Sequence, residues 1–276
     1  MIDRRALLLG LAVPGLMLGH RTAHAQAPAA AESTLDRVRN SKKLRISAIV
    51  GAEPYFRKNL ADGTWNGVAV EMAASIARPL EATVEYVEST YANSILDLRS
   101  GRSDLAFSLN PTPERALSIA FSHPYYMHPY ALLAKAGFSA ATWADLNKPE
   151  MRLCASNGTL PDTLVRRYAP RAQVVVTRTI DEGVLAVQTG RADAIVTAVL
   201  QAFSIKIKNP LFSTIIIPEA PRIALPTCLG VRQENNARWL DYLNAWVDFN
   251  AASGQVMDWI VAELGRGGIT RDQIPA

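Results

Sequence analysis

The chain has 276 residues, of which 49% are hydrophobic and 20% charged, as in a folded globular protein with a substantial core. Its 29 Lys and Arg against 25 Asp and Glu give a net charge of +4. Since no basic run is present, neither nucleic acid nor an anionic membrane is an expected partner. Length and composition together exclude a disulfide-dense miniature and a disordered chain.

Residues 1–25 have the pattern of a secretory signal. Arg4 and Arg5 precede the apolar run Ala6 to Leu18, and Ala23-His24-Ala25 is a small-x-small cleavage pattern. The signal predicts cleavage after Ala25 and export to the periplasm, by either the general secretory or the twin-arginine route. Because no other apolar stretch approaches the roughly 20 residues of a membrane span, no insertion into the membrane is expected after cleavage.

Helical and strand periodicities then alternate in the manner of an α/β protein. The predicted helices are Leu35–Asn40, Gly67–Leu80, Ser94–Ser100, Asn236–Phe249 and Ser253–Leu264, and the first predicted strands are Leu44–Val50 and Thr83–Val87.

An internal repeat predicts two similar lobes. Leu98 to Asp104 reads LRSGRSD and is followed by a strand to Ser108, while Val187 to Asp193 reads VQTGRAD and is followed by a strand to Thr197. Ligands of open α/β sheets bind beyond the carboxyl ends of strands, so two lobes facing each other there form a cleft. Two extended segments, Tyr130 to Leu133 and Pro226 to Val231, are the predicted hinge crossings. We therefore assign residues 26–130 plus 229–276 to lobe 1 and residues 131–228 to lobe 2.

Two segments carry candidate binding chemistry. Thr112-Pro113-Glu114-Arg115 starts a helix with Thr112 as its N-cap, and a guanidinium in a first helical turn calls for an acidic partner or a bound carboxylate. Ser156-Asn157-Gly158-Thr159 joins a strand to a helix, where free N–H groups could hold an anion. The alternative for Thr159 or Asn157 is a simple helix cap.

Signs of catalysis or cofactor binding are weak. No Gly-x-Ser-x-Gly motif occurs, and we interpret His123 and His128 as surface or packing residues. Cys154 and Cys228 form either a disulfide or two buried thiols, and their spacing predicts no metal site. We expect no cofactor, no metal and no enzymatic activity.

Several motifs in order resemble the family-3 extracellular solute-binding proteins, the amino-acid receptors of ABC importers. They are the export signal, Asp62-Gly63-Thr64-Trp65-Asn66-Gly67-Val68, Ser100-Gly101-Arg102-Ser103-Asp104, Thr112-Pro113-Glu114-Arg115-Ala116, Phe121-Ser122-His123-Pro124-Tyr125-Tyr126, Ser156-Asn157-Gly158-Thr159 and Gly190-Arg191-Ala192-Asp193. The resemblance implies a two-lobed type II periplasmic-binding fold with two hinge crossings, which closes on a small solute and delivers it to an inner-membrane permease. A monomer is expected.

The resemblance also implies a binding site. Arg115 matches the arginine that holds the ligand carboxylate, Asn110 and Ser108 assist it, and Thr159, beside Gly158, donates to the same carboxylate from the second lobe. Tyr91 matches an aromatic wall of the pocket, and Thr197 lies beside the position that completes the site.

The sequence departs from the family where a ligand ammonium would be paired. Ala198 stands at the usual aspartate position, and Ile49, Val50 and Gly51 stand at a second acidic one. Glu53 is the nearby acid that could substitute. We expect a small carboxylate-bearing solute, either an amino acid or, by preference, an organic acid without a free ammonium, because an unpaired buried ammonium costs several kcal/mol. The alternatives are an enzyme related to cyclohexadienyl dehydratases and a ligand-sensing accessory subunit.

Overall fold

Helices and strands alternate through residues 32–275, the part of the chain that the computed structural model describes. The predicted signal at residues 1–25 lies outside the described residues. The helices are α1 Thr34–Ser41, α2 Val68–Ala77, α3 Tyr91–Ser100, α4 Pro113–Ala116, α5 Trp143–Leu146, α6 Leu160–Tyr168, α7 Ile180–Gln188, α8 Val199–Lys208, α9 Arg238–Ala252 and α10 Gln255–Gly265, with 3-10 turns at Arg78–Leu80 and Arg271–Gln273. The strands are β1 Lys43–Ile49, β2 Arg57–Lys58, β3 Trp65–Asn66, β4 Thr83–Ser89, β5 Leu105–Leu109, β6 Ile119–Lys135, β7 Arg152–Ser156, β8 Gln173–Thr177, β9 Ala194–Ala198, β10 Phe212–Ile216 and β11 Ala224–Arg232.

The helix predicted over residues 67–80 ends earlier as an α-helix. The α-helix α2 stops at Ala77, and a 3-10 turn that contains Pro79 completes the segment. Proline lacks the N–H that an α-helical hydrogen bond requires, which explains the change of helix type. The other predicted helices and both predicted strands are present within a few residues of their expected bounds.

The described residues form one large sheet with the strand order β4-β1-β5-β11-β6-β9-β7-β8, and β10 pairs with β6 beside it. The long strand β6 connects two sets of strands. We call β4, β1, β5, β11 and residues 119–129 the first strand group, and residues 130–135, β9, β7, β8 and β10 the second strand group.

The internal repeat has the same structure in both strand groups. Asp104 accepts a hydrogen bond from the backbone N–H of Arg45 at 2.8 Å, and Asp193 accepts one from the N–H of Arg152 at 2.8 Å. In each pair the arginine side chain also donates to both carboxylate oxygens. Each aspartate therefore joins β1 or β7 to the turn before β5 or β9, the strands that contain Ser108 and Thr197.

The two predicted crossings lie in the adjacent strands β6 and β11. The pairing partner of β6 changes from β11 to β9 between Pro129 and Tyr130, next to the predicted start of the crossing. Strand β11 already pairs with residues 126–129 from Ala224 onward. The second passage between the strand groups therefore precedes Ala224, a few residues before the predicted segment 226–231.

The largest apolar core lies under the first strand group and also includes Ala131 of the second, which has two further cores of its own. Helices α2, α9 and α10 pack over the first strand group, where Trp239 is 2% exposed and the ring of Trp246 stacks on Trp259 at 6.2 Å. Trp239, Trp246 and Trp259 all pack in or against the core of the first strand group. Within residues 32–275, no helix combines the length and the apolar character that a membrane crossing requires.

Candidate functional site

A cleft lies where strands of the two groups end. Ser108 near the end of β5, and Ser156, Thr177 and Thr197 at or near the ends of β7, β8 and β9, all line it. Its space, the open mouth included, is about 840 Å³, which suits a small molecule. The lining residues are Tyr55, Tyr91, Ser108, Leu109, Asn110, Arg115, His128, Tyr130, Cys154, Ser156, Thr159, Leu160, Pro161, Thr177, Ile180, Gly183, Ile195, Val196, Thr197, Ala198, Gln201 and Thr227.

Arg115 is the cationic side chain of this cleft. It sits in the short helix α4, whose N-cap Thr112 accepts the backbone N–H of Arg115 at 3.3 Å, as the sequence predicts. Its Nη1 donates to the carbonyl oxygen of Asn110 at 3.1 Å, and its Nη2 donates to the carbonyl oxygen of Gly158 at 3.0 Å. Burial lowers the pKa of Arg115. The charged guanidinium of Arg115 is therefore partly desolvated, and its protein partners are neutral carbonyl oxygens.

Asn110 and Ser108 are positioned next to Arg115 by the first strand group. Asn110 donates from Nδ2 to the carbonyl oxygen of Pro226 at 2.9 Å and accepts the hydroxyl of Tyr130 at 3.0 Å. Ser108 has a φ of 59°, which is unusual for a residue with a side chain, and its N–H donates to the hydroxyl of Tyr125 at 3.0 Å. Backbone strain of this kind is typical of functional sites.

The second strand group contributes Gly158, Thr159 and Thr197. Gly158 does not line the cleft with its own atoms, but its left-handed φ of 69° accompanies the carbonyl contact with Arg115. Thr159 is the N-cap of α6 by position, yet its hydroxyl donates to the carbonyl oxygen of Ser156 at 2.6 Å instead of capping the helix. The hydroxyl of Thr197 donates to Oε1 of Gln201.

Tyr91 lines the cleft from the start of α3. Burial raises the pKa of Tyr91, while a side-chain hydrogen bond with Gln201 acts in the opposite direction. The tyrosine hydroxyl is therefore neutral at ordinary pH.

The residues that line the cleft in the described part of the chain include no Asp or Glu. Ala198 occupies the lining position at the end of β9. The carboxylate of Glu53 forms an ion pair with Lys208 and is not a lining residue. Residues 32–275 also contain no group of three His, Cys, Asp or Glu side chains that could hold a metal ion.

The structure adds lining residues that the sequence did not indicate, among them Tyr55, His128, Tyr130, Gln201 and Thr227.

His123 is exposed, as expected, and contacts Asp248. The interpretation of His128 as a surface or packing residue is incomplete, because it is 4% exposed and also lines the cleft. Cys154 and Cys228 are two buried free thiols.

Two characterised relatives align with about three fifths of the chain. A glutamine-binding protein of Geobacillus stearothermophilus is 26% identical over 172 residues, which are 61% of this chain and 65% of that protein. The cyclohexadienyl dehydratase of Pseudomonas aeruginosa is 27% identical over 181 residues, which are 63% of this chain and 65% of that enzyme. The aligned part of the chain thus spans less than two thirds of either relative.

The fold matches that of solved solute-binding proteins. An amino-acid ABC transporter substrate-binding protein of Streptococcus pneumoniae, solved with L-arginine, has a TM-score of 0.76 at 19% identity, over 84% of this chain and 98% of that one. The type II periplasmic-binding fold expected from the sequence is therefore confirmed.

The family resemblance is confirmed as well. The sequence profile of the bacterial extracellular solute-binding proteins, family 3, matches residues 44–259, a span that includes all but the first residue of the two strand groups and every lining residue of the cleft. The chain belongs to the family-3 bacterial extracellular solute-binding proteins.

Proposed function

We propose that the protein is a periplasmic receptor that binds a small solute by its carboxylate and delivers it to an inner-membrane ABC permease. The observation that carries this proposal is Arg115, a partly buried guanidinium in the cleft whose protein partners are two carbonyl oxygens. A carboxylate can accept two parallel charge-assisted hydrogen bonds from a guanidinium, each stronger than a bond to a neutral oxygen.

The proposed ligand site consists of Arg115, Asn110, Ser108, Tyr91, Thr159, Gly158 and Thr197. All of them except Gly158 line the cleft, and Gly158 contacts Arg115 by its carbonyl. Their common location supports the assignment. Ser108 and Thr197, the repeat-related strand-end residues, contribute one hydroxyl from each strand group.

The ligand class follows from the charges in the cleft. Relatives named for glutamine and a solved neighbour with L-arginine favour an amino acid. An amino acid also carries an ammonium, and the described lining residues include no carboxylate to pair with it. Because an unpaired buried charge costs several kcal/mol, we propose that the preferred ligand is an organic acid without a free ammonium.

We further propose that ligand binding closes two lobes around the cleft. The strand pairing supports boundaries at residues 129/130 and 223/224, close to the predicted division of 26–130 plus 229–276 from 131–228. Small-angle scattering of the monomeric receptor should show a smaller radius of gyration with a saturating ligand. Identical dimensions with and without the ligand would contradict closure.

A thermal-shift screen tests the ligand class directly. The purified chain is melted with amino acids and with matched 2-oxo or des-amino acids, and Arg115→Ala is run in parallel. A ligand that binds the folded state raises the melting temperature by mass action. We expect organic acids to stabilise the wild type and not Arg115→Ala. Stabilisation by amino acids alone would overturn the organic-acid proposal, and stabilisation of both proteins by the same acid would overturn the role of Arg115.

The second candidate is a dehydratase, which the Pseudomonas relative favours. A dehydratase needs an acid in its cleft to protonate a leaving hydroxyl. The described lining residues include no Asp or Glu, and burial lowers the pKa of His128 to about 3, so that its imidazole is neutral at pH 7. Turnover of a cyclohexadienyl acid by the purified protein would favour this candidate over a receptor.

A further inference from the structure

Two buried polar atoms of the cleft residues have no hydrogen-bond partner in the described part of the chain. They are Nδ1 of His128 and Oγ1 of Thr227, in residues that are 4% and 1% exposed. Buried polar atoms are normally hydrogen-bonded, and an exception in a binding cleft points to a group that a ligand supplies.

The two side chains lie on the same face of the β6–β11 pair. Leu225 pairs with His128, and Thr227 pairs with Tyr126. Alternate residues of a strand point to the same face, so Thr227 and His128 are diagonal neighbours there. Diagonal neighbours are roughly 7 to 8 Å apart, which leaves room for one ligand group to contact both side chains.

The imidazole of His128 is held in one orientation. Its Nε2 shares a hydrogen bond of 2.7 Å with the hydroxyl of Tyr55, and its ring packs edge-to-face against Tyr55 and Tyr126. The nitrogen that remains, Nδ1, is therefore the ring atom that still lacks a hydrogen-bond partner. Burial keeps the ring neutral, so Nδ1 is a donor in one tautomer and an acceptor in the other.

The position of Thr227 connects this pair to the proposed carboxylate site. Thr227 follows Pro226, whose carbonyl oxygen accepts from Asn110 at 2.9 Å, and the carbonyl oxygen of Asn110 accepts from Arg115 at 3.1 Å. A ligand carboxylate at Arg115 is therefore separated from the strand of Thr227 by one residue, Asn110, which is hydrogen-bonded to both Arg115 and Pro226.

We propose that His128 and Thr227 bind a hydroxyl group of the ligand, and that the solute is a short hydroxy acid whose hydroxyl lies within a few bonds of its carboxylate. A hydroxyl both donates and accepts, so it satisfies Nδ1 in either tautomer and the threonine hydroxyl at once. The inference rests on the proposed function, since it takes the carboxylate at Arg115 as given. It adds a residue pair and a substrate class that the family comparison does not supply.

Calorimetric titration of the full chain with matched acids tests the inference. The probes are lactate and propionate, 3-hydroxybutyrate and butyrate, and phenyllactate and 3-phenylpropionate. For at least one pair, the wild type should bind the hydroxy acid about tenfold or more tightly than the deoxy acid, because only the hydroxy acid supplies a hydrogen-bond partner to the two buried polar atoms. This measurement requires no variant.

Two variants locate the effect. Thr227→Val removes the hydroxyl at constant shape, and His128→Gln removes Nδ1 while its amide can still reach Tyr55. Each should lower the ratio of hydroxy-acid to deoxy-acid affinity by about threefold to tenfold. Thr214→Val, in strand β10 and outside the cleft, is the matched control and should keep the wild-type ratio.

The outcomes separate the two proposals. If acids bind and Arg115→Ala abolishes binding while no hydroxy acid exceeds its deoxy partner, the proposed function stands and this inference is wrong. The inference is equally overturned if both variants keep the wild-type ratio. If neither the six acids nor any amino acid binds the wild type, both the proposed function and this inference are wrong.

Discussion

Arg115 and Gly158 bridge the cleft, with Nη2 of the arginine 3.0 Å from the carbonyl oxygen of the glycine. Arg115 follows the end of β5 in the first strand group, and Gly158 follows the end of β7 in the second. Hydrogen bonds to a carboxylate are roughly twice as strong as bonds to neutral acceptors. A ligand carboxylate that replaces these carbonyl contacts therefore gains a stronger interaction and still faces both strand groups.

Arg115→Ala should weaken ligand binding by about 2 to 4 kcal/mol, or roughly thirtyfold to a thousandfold in affinity. The fold should remain nearly as stable, because the substitution removes two hydrogen bonds to carbonyls together with the desolvation cost of a buried charge. Calorimetry measures the affinity, and thermal melting measures the stability.

Arg166→Ala is the matched control, since Arg166 is an exposed residue of α6 that pairs with Asp162. Its ligand affinity should equal that of the wild type. Equal affinity in Arg115→Ala would end the assignment of Arg115 to the carboxylate.

Of the residues that line the cleft, the sequence indicated those that sit in local motifs. Ser108 and Thr197 follow the two copies of the repeat, and Arg115 follows a helix-start motif, so short-range patterns were sufficient. His128 and Thr227 have no such motif. They come together because β6 pairs with β11 about one hundred residues later in the chain, and strand pairing of that range cannot be read from local periodicity.

Glu53→Gln should reduce ligand affinity by no more than about fivefold, and only at low salt. The carboxylate of Glu53 is paired with Lys208, whose side chain is 52% exposed, and does not line the cleft, so the substitution acts on the ligand only through the loss of this ion pair. Partly exposed ion pairs contribute about 1 kcal/mol or less, which corresponds to about fivefold in affinity. Salt screens such a pair, so titrations at low and high salt should converge. A complete loss of amino-acid binding in Glu53→Gln would instead show that Glu53 serves as the ammonium ligand.

His128 should make the protein less stable as the pH falls below about 6.5. Burial lowers the pKa of His128 from 6.5 to about 3, so between these values the unfolded chain binds a proton that the folded chain does not. The free energy of unfolding should therefore decrease through this window, by at most about 1.4 kcal/mol per pH unit, and His128 should have no effect above it.

Denaturant unfolding across pH 4 to 8 measures this contribution by comparison with His128→Gln. The variant retains every other titrating group, and the tyrosines that contact His128, Tyr55 and Tyr126, have raised pKa values and stay neutral in this range. The difference in unfolding free energy between the two proteins should depend on pH below 6.5. A constant difference would mean that folding does not lower the pKa of His128.

Ala198 is the position at which the cleft can be given a counter-charge for an ammonium. It lines the cleft at the end of β9 and is also the N-cap of α8, where its side chain makes no capping hydrogen bond. Aspartate and asparagine are both favourable N-caps, worth about 1 kcal/mol relative to alanine. The Ala198→Asp and Ala198→Asn variants therefore share the capping effect and differ in charge.

Ala198→Asp should shift the preference of the receptor toward amino acids. A carboxylate there would pair with a ligand ammonium, and an unpaired buried charge costs roughly 3 to 5 kcal/mol, so the ratio of amino-acid to des-amino-acid affinity should rise by about a hundredfold or more. Ala198→Asn should keep the wild-type ratio, since it supplies the cap without the charge. Calorimetry with an amino acid and its des-amino partner measures both ratios. If the wild type already prefers the amino acid and Ala198→Asp leaves the ratio unchanged, the ammonium is bound elsewhere and the organic-acid proposal is wrong.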